Sequence, residues 1–145
     1  MARAVIVCID TNVLLGFFNN EPEKVESCTA LFQLLFTKRI KSVVATITLL
    51  ELASILTSTD QSAEAEQIIN SIESLPLFSI VEFCNGWIMR TAALKKANRL
   101  AIADAIILST AIETRCSYLL TFDTDFKSVG EIQVLTPQKF LELQN

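Results

Sequence analysis

The hydrophobic pattern of this chain changes character at a single residue near its start. Val5–Ile9 is a continuous apolar run rich in β-branched side chains, and Asp10 ends it. A run this short, without alternation, predicts a strand buried on both faces. Thr11 and Asn12 follow, and Val13–Phe18 resumes the apolar character as a helix. A carboxylate thus sits where a buried strand gives way to a helix. It is either a plain helix cap or a group at the carboxyl edge of a sheet, where open α/β folds bind ligands.

The later pattern repeats this alternation of short buried runs and helical stripes. Asn20-Glu21-Pro22-Glu23 reads as a helix start, with Asn20 as cap and Pro22 in the first turn. Val25, Cys28, Leu31, Phe32, Leu35 and Phe36 then recur at helical spacing over Glu23–Lys38, a core-facing stripe with a dimer contact as its alternative. Lys38, Arg39 and Lys41 form a charged helix end. Ser42–Ala45 is a second strand, and Thr46 caps a helix over Ile47–Thr57 that is apolar on nearly every side except at Glu51. Asp60–Leu75 is an amphipathic helix stopped by Pro76, and Phe78–Phe83 is a short strand or extended connection. Asn85 caps a helix to about Asn98, with Trp87, Ile88, Thr91, Ala92 and Leu94 facing the core. Leu100–Ile112 is a buried helix interrupted by Asp104. Tyr118–Thr121 and Ile132–Leu135 are strands, and Thr136-Pro137 opens a last helix, Gln138–Leu143. This order predicts one α/β domain over residues 1–145 with a mainly parallel sheet.

Composition narrows the chemistry. The chain has 145 residues, 51% of them hydrophobic and 19% charged, which excludes disorder. No apolar run reaches the ~20 residues of a membrane span. The apolar run after Arg3 is shorter than a signal-peptide core of about 7–15 residues. The expectation is a soluble cytoplasmic protein. Cys8, Cys28, Cys84 and Cys116 show no paired spacing, so neither disulfides nor a thiolate zinc site is indicated. Histidine is absent, which removes His bases, Ser–His and Cys–His nucleophiles, and His-ligated zinc. With three glycines, neither a dinucleotide fingerprint nor a P-loop can be written. Net charge is −4, unlike a strongly basic nucleic-acid binder; attraction to nucleic acid has to be local or carried by bound cations.

The acids acquire meaning from the topology. Asp10 and Asp123 follow strands, and Glu51 and Asp104 lie in the first turns of helices that are otherwise apolar. Right-handed crossovers bring strand ends and the starts of the following helices to one edge of a parallel sheet, where helix dipoles also favour negative charge. An isolated buried carboxylate costs several kcal/mol, and four together repel unless some take up protons or share a counter-ion. All-oxygen donors point to Mg²⁺ or Mn²⁺ over zinc. For each acid a plainer role stands beside this one: a helix cap for Asp10 and Asp104, a rim position or an ion pair for Glu51, a turn for Asp123 and Asp125. Lys95, Lys96 and Arg99 are either a dipole-complemented helix end or a phosphate-contacting patch.

The segments IDTNVLL with Asp10, TLLELA with Glu51, LAIADAIILSTA with Asp104, and LLTFDTDF with Thr121, Asp123 and Asp125 resemble those of the PIN-domain nucleases. The likeness is strongest to the VapC-type toxins of bacterial toxin–antitoxin pairs and covers essentially the whole chain. It implies a three-layer α/β/α fold around a parallel sheet, and Mg²⁺- or Mn²⁺-dependent cleavage of RNA. It assigns catalysis and metal ligation to Asp10, Glu51, Asp104 and Asp123, with Asn12, Thr121 and Asp125 in support. It also implies an antitoxin partner and a homodimer. Two other readings fit the residues: a PIN-like module that binds RNA or protein without cleaving, and an aspartyl-phosphate phosphatase. The latter usually has D-x-D after its first strand, whereas Asp10 is followed by Thr11 and Asn12.

Overall fold

Among the described residues the short apolar runs become five strands: β1 (Ile6–Ile9), β2 (Lys41–Ala45), β3 (Phe78–Val81), β4 (Tyr118–Leu120) and β5 (Gln133–Leu135). The computed structural model describes residues 4–38 and 40–145, so the expectations for Arg3 and Arg39 lie outside the described residues. The strand order is β3-β2-β1-β4-β5, and all four pairings are parallel. The run that opens the chain is therefore the central strand. Val7, Cys8 and Ile9 are fully buried, as a strand covered on both faces requires.

The helices are α1 (Thr11–Phe18), α2 (Val25–Lys38), α3 (Thr46–Ser58), α4 (Ser62–Ser74), α5 (Ile88–Asn98), α6 (Ile102–Glu113) and α7 (Pro137–Leu143). On one face Val7, Ile9 and Val44 of the sheet pack with Leu14, Leu31, Leu52 and Phe140. On the other, Cys8, Val43 and Leu119 pack with Ala105, Leu108 and Phe126. The result is a three-layer α/β/α domain with a parallel central sheet. Among the described residues no helix is long and apolar enough to cross a membrane, and all four cysteines are free.

The largest departures from the sequence reading are at helix ends. Asn20 does not start α2; it stops α1. It takes a left-handed backbone (φ 48°), its N–H meets the Phe17 carbonyl, and the Glu21 N–H returns to the Gly16 carbonyl at 3.2 Å. This pair of bonds is the Schellman closure of a helix. Asp60 (φ 59°), expected to begin α4, ends α3 in the same way, with Gln61 N–H on the Leu56 carbonyl at 2.9 Å. Arg99 (φ 55°) and Arg115 (φ 60°) close α5 and α6 likewise. None of the glycines takes a positive φ, so residues with a Cβ adopt this conformation at a cost of about 1–2 kcal/mol each. Arg115→Gly is therefore expected to raise stability by about 0.5–1 kcal/mol, read as a higher urea midpoint at unchanged m-value.

Other corrections follow from packing. Thr46 is the first residue of α3 and gives its hydroxyl to the Val81 carbonyl at 3.2 Å, leaving Ala45 at the cap position. Thr136 does cap α7, accepting from the Lys139 N–H, with Pro137 first in the helix; Thr136→Ala should cost about 1 kcal/mol in urea denaturation. Leu31, Phe32 and Leu35 enter the core, but Phe36 is 77% exposed. Ile88 and Met89 of α5 are 51% and 78% exposed, and Ala92 is exposed too. Only a narrow strip of α5 meets the body, because it lies on α6, where Thr91 shares a buried 2.7 Å hydrogen bond with Ser109.

Candidate active site

The ends of β1 and β4 leave the sheet together, since Asp10 N–H donates to the Leu120 carbonyl at 3.1 Å. Asp10 caps α1 by accepting the Thr11 N–H on Oδ1 at 2.8 Å. The plain capping role is thus real, and it is half of what the side chain does. Its other oxygen, Oδ2, accepts the Thr121 hydroxyl at 2.6 Å and Asn12 Nδ2 at 3.3 Å. Thr121 Oγ1 in turn accepts from the Asp123 N–H at 3.0 Å and from Asn12 Nδ2 at 3.1 Å. Asn12 Oδ1 accepts the Phe122 N–H at 3.0 Å. Asp123 Oδ1 accepts the Asp125 N–H at 2.8 Å, so Asp123 caps a 3₁₀ turn over Thr124–Phe126. The hydroxyl of Thr121, a residue only 2% exposed, therefore ties the segment after β1 to the segment after β4.

From α3, Glu51 arrives half-buried, its Oε1 accepting the Thr11 hydroxyl at 2.7 Å. From α6, Asp104 arrives in the first turn, where Ala101 holds the cap position, so Asp104 is not a cap. One carboxylate oxygen each from Asp104, Asp123 and Asp125 lies within 4.8 Å of the other two. Asp125, a supporting residue in the sequence reading, belongs to the tightest group, with Asp10 and Glu51 beside it. Among the described residues, ion pairs join Lys24 to Glu21, Arg90 to Glu113 and Lys139 to Glu142, and none involves these five acids.

The electrostatic strain of the arrangement is visible in two carboxyls. Burial pushes Asp10 up to about 6, against hydrogen bonds from Thr121 and Thr11 that favour its charge, and Glu51 and Asp123 add repulsion. Burial likewise raises Asp104 to about 6, and the charges of Asp10, Asp123, Glu51 and Asp125 push the same way. Four neighbouring anions felt by one half-buried side chain, with no cation paired to any of them among the described residues, is the electrostatic situation a divalent ion relieves. The donor set is all carboxylate, which suits a hard, oxygen-liganded ion. The residues present fit such an ion.

The pH consequence has a definite sign. Both carboxyls titrate higher in the folded chain than in the unfolded one, so the folded state holds more protons between about pH 4 and 6. The contribution of these two carboxyls to the stability of the metal-free protein is then greatest at low pH and is lost as pH rises through about 6. A saturating divalent cation competes for the same oxygens and is expected to restore the melting temperature at pH 7.5 but have little effect at pH 4.5, as read by thermal melts in EDTA and in MnCl₂.

The structure thus gathers Asp10, Asn12, Glu51, Asp104, Thr121, Asp123 and Asp125 at one edge of the sheet. Lys95, Lys96 and Arg99 are exposed cations at the end of α5, just before α6, and stand outside the hydrogen-bonded group. Thr11 is the residue that sequence reasoning missed. Its only signal was a hydroxyl next to the first acid, and nothing local points it at Glu51.

The PIN-domain family profile matches residues 7–132. No curated protein sequence matches the chain. Among solved structures, a toxin–antitoxin complex from Klebsiella pneumoniae is 25% identical with a TM-score of 0.66, covering 90% of this chain and 97% of that one. VapBC2 from Rickettsia felis, bound to a DNA fragment from its promoter, is 19% identical with a TM-score of 0.74, covering 90% and 97%. VapC20 from Mycobacterium tuberculosis, a sarcin–ricin-loop-cleaving toxin, is 13% identical with a TM-score of 0.70, covering 87% and 98%. The last two likenesses concern the fold.

Proposed function

The chain belongs to the PIN-domain family, and from that premise we propose that it is a divalent-metal-dependent endoribonuclease, the toxin of a toxin–antitoxin pair. The observation that carries the reading is the convergence of Asp104, Asp123 and Asp125 oxygens within 4.8 Å, beside a buried Asp10 with no cationic partner among the described residues. Asp104, Asp123 and Asp125 would hold Mg²⁺ or Mn²⁺, with Asp10 and Glu51 completing the anionic wall. When bound, such an ion would supply Lewis acidity that activates water and offsets charge developing on the phosphoryl oxygens.

The chain's own residues do the rest. Thr121 and Asn12 fix the Asp10 carboxylate and the Asp123 backbone against each other, so the donor oxygens are set before substrate arrives. Thr11 holds Glu51 through a 2.7 Å hydrogen bond. With no histidine in the chain, a carboxylate or solvent would take the proton of the attacking water as the P–O3′ bond breaks, and the departing 3′ oxygen would take a proton from solvent. Arg99, Lys95 and Lys96 lie at the end of α5 that leads into α6 and would hold the RNA backbone. By analogy with the family, the product carries a 5′-phosphate. An antitoxin partner is supported by the toxin–antitoxin complexes of the same fold. A homodimer is supported by exposed Leu50, Ile88, Met89 and Ile102, and light scattering reads it directly.

The test is cleavage of end-labelled RNA with and without Mn²⁺. Cleavage that needs the ion and stops in EDTA is expected; a protein that binds Mn²⁺ yet leaves RNA intact is a binding module instead. Glu51→Gln is expected to weaken Mn²⁺ binding about tenfold by calorimetry, and an unchanged affinity removes Glu51 from the ion's surroundings.

A further inference from the structure

A concavity adjoins the acid cluster and has no role in the chemistry above. It occupies about 350 Å³ where β4 and β5 end, and Thr121 and Asp123 line it as well as the cluster. Phe126, Val129, Ile132 and Val134 form apolar walls, while Lys127, Gln133 and Thr136 supply polar groups. Lys127 and Gln133 are exposed. Apolar walls with a few placed hydrogen-bonding groups are the composition of a small-ligand pocket. A nucleobase has this complement: two apolar faces, a polar edge, and a phosphate beside it for a cation to meet.

We propose that this pocket receives the unpaired base of the nucleotide next to the scissile phosphate, and that Gln133 decides which base is preferred while Lys127 holds the adjoining backbone. This rests on the ribonuclease reading. A phosphate that met the cation Asp104, Asp123 and Asp125 would hold leaves the adjoining nucleotide at the pocket mouth, because Asp123 belongs to both the acid group and the pocket lining. The base has to be unstacked to enter, so paired RNA is excluded at that position and looped or single-stranded RNA is admitted. The Lys127 ammonium would sit by the backbone, and the Gln133 amide would meet the base edge. Lys127 directly follows the acid-bearing LLTFDTDF segment, but Gln133 joins it only through the fold, so no local pattern pairs the two.

The test is an abasic scan. A set of single-stranded octaribonucleotides, identical except for one abasic site moved along the strand, is cleaved by the wild-type protein with Mn²⁺. One position next to the cut is expected to lower kcat/KM roughly tenfold when its base is removed. Gln133→Ala should flatten the preference among A, C, G and U at that position while sparing cleavage of the abasic substrate. Val129→Phe, which fills the pocket, should do the same; Gln133→Ala, at an exposed site, carries the test if the filled variant is unstable. An abasic scan without a sensitive position, or base preference unaltered in Gln133→Ala, overturns the proposal while the nuclease reading stands. If no RNA is cleaved, that reading fails first, and anisotropy of the same labelled octamers still decides the pocket: base-dependent binding lost in Gln133→Ala supports it. Binding indifferent to the base, or Gln133→Ala weakening only a protein partner, overturns it.

Discussion

Asp104→Asn is expected to lower Mn²⁺-dependent RNA cleavage on the order of 10³-fold while raising the melting temperature of the metal-free protein at pH 7.5. The two effects share one cause. Asp104 is half-buried and faces the charges of Asp10, Asp123, Glu51 and Asp125, and among the described residues its side chain has no hydrogen-bond partner that asparagine would lose. Removing its charge relieves repulsion that the folded chain bears only at pH above about 6. The stabilisation should therefore vanish at pH 4.5, where Asp104 is protonated in the wild type. The same substitution removes a donor from the tightest carboxylate group, so the gain in melting temperature on adding Mn²⁺ should shrink. Thermal melts at the two pH values, with and without the ion, separate these contributions. A melting temperature that falls at pH 7.5 in EDTA would show that Asp104 is held by a stabilising contact and is not a strained ligand.

The second large effect is expected from Thr121→Val, which keeps shape and removes one oxygen. That oxygen donates to Asp10 at 2.6 Å and accepts from Asp123 N–H and Asn12 Nδ2 at 3.0 and 3.1 Å. Valine leaves a buried carboxylate short of a charge-assisted hydrogen bond and a backbone N–H unpaired. The expected loss is about 3 kcal/mol in urea denaturation. Asp10 loses the strongest contact favouring its charge, so its titration should move further upward, and the pH at which Mn²⁺ begins to bind should rise with it. Thr121→Ser retains the hydroxyl and is expected to restore most of the metal affinity and activity. A valine variant that binds Mn²⁺ with the wild-type pH profile would reduce Thr121 to a packing residue.

These two positions also show how differently the site was legible. Asp104 announces itself in the sequence, because a charge inside LAIADAIILSTAI has no local reason to be there. Thr121 is a hydroxyl at a strand end, a common sight, and gains its meaning from Asn12 and Asp10, more than a hundred residues earlier in the chain. Asp125 illustrates the same limit: two residues beyond Asp123 it reads as a turn aspartate, yet the 3₁₀ turn capped by Asp123 swings it into the tightest group.

The apolar and polar pattern alone placed most of the strands and helices, left Phe78–Phe83 open between strand and extended connection, predicted a mainly parallel sheet, and showed where along the chain the acids fall relative to strand ends. Those are local properties, written in runs of apolar residues and in the short list of residues that stop them. The fold decided which acids stand closest, which hydroxyls orient them, and how α5 leaves Ile88 and Met89 in solvent. It also turned Asn20 and Asp60 from helix starts into helix stops. Such outcomes depend on how the crossovers pack residues far apart in sequence, and on a left-handed backbone at helix ends that a chain with few glycines must build from other side chains.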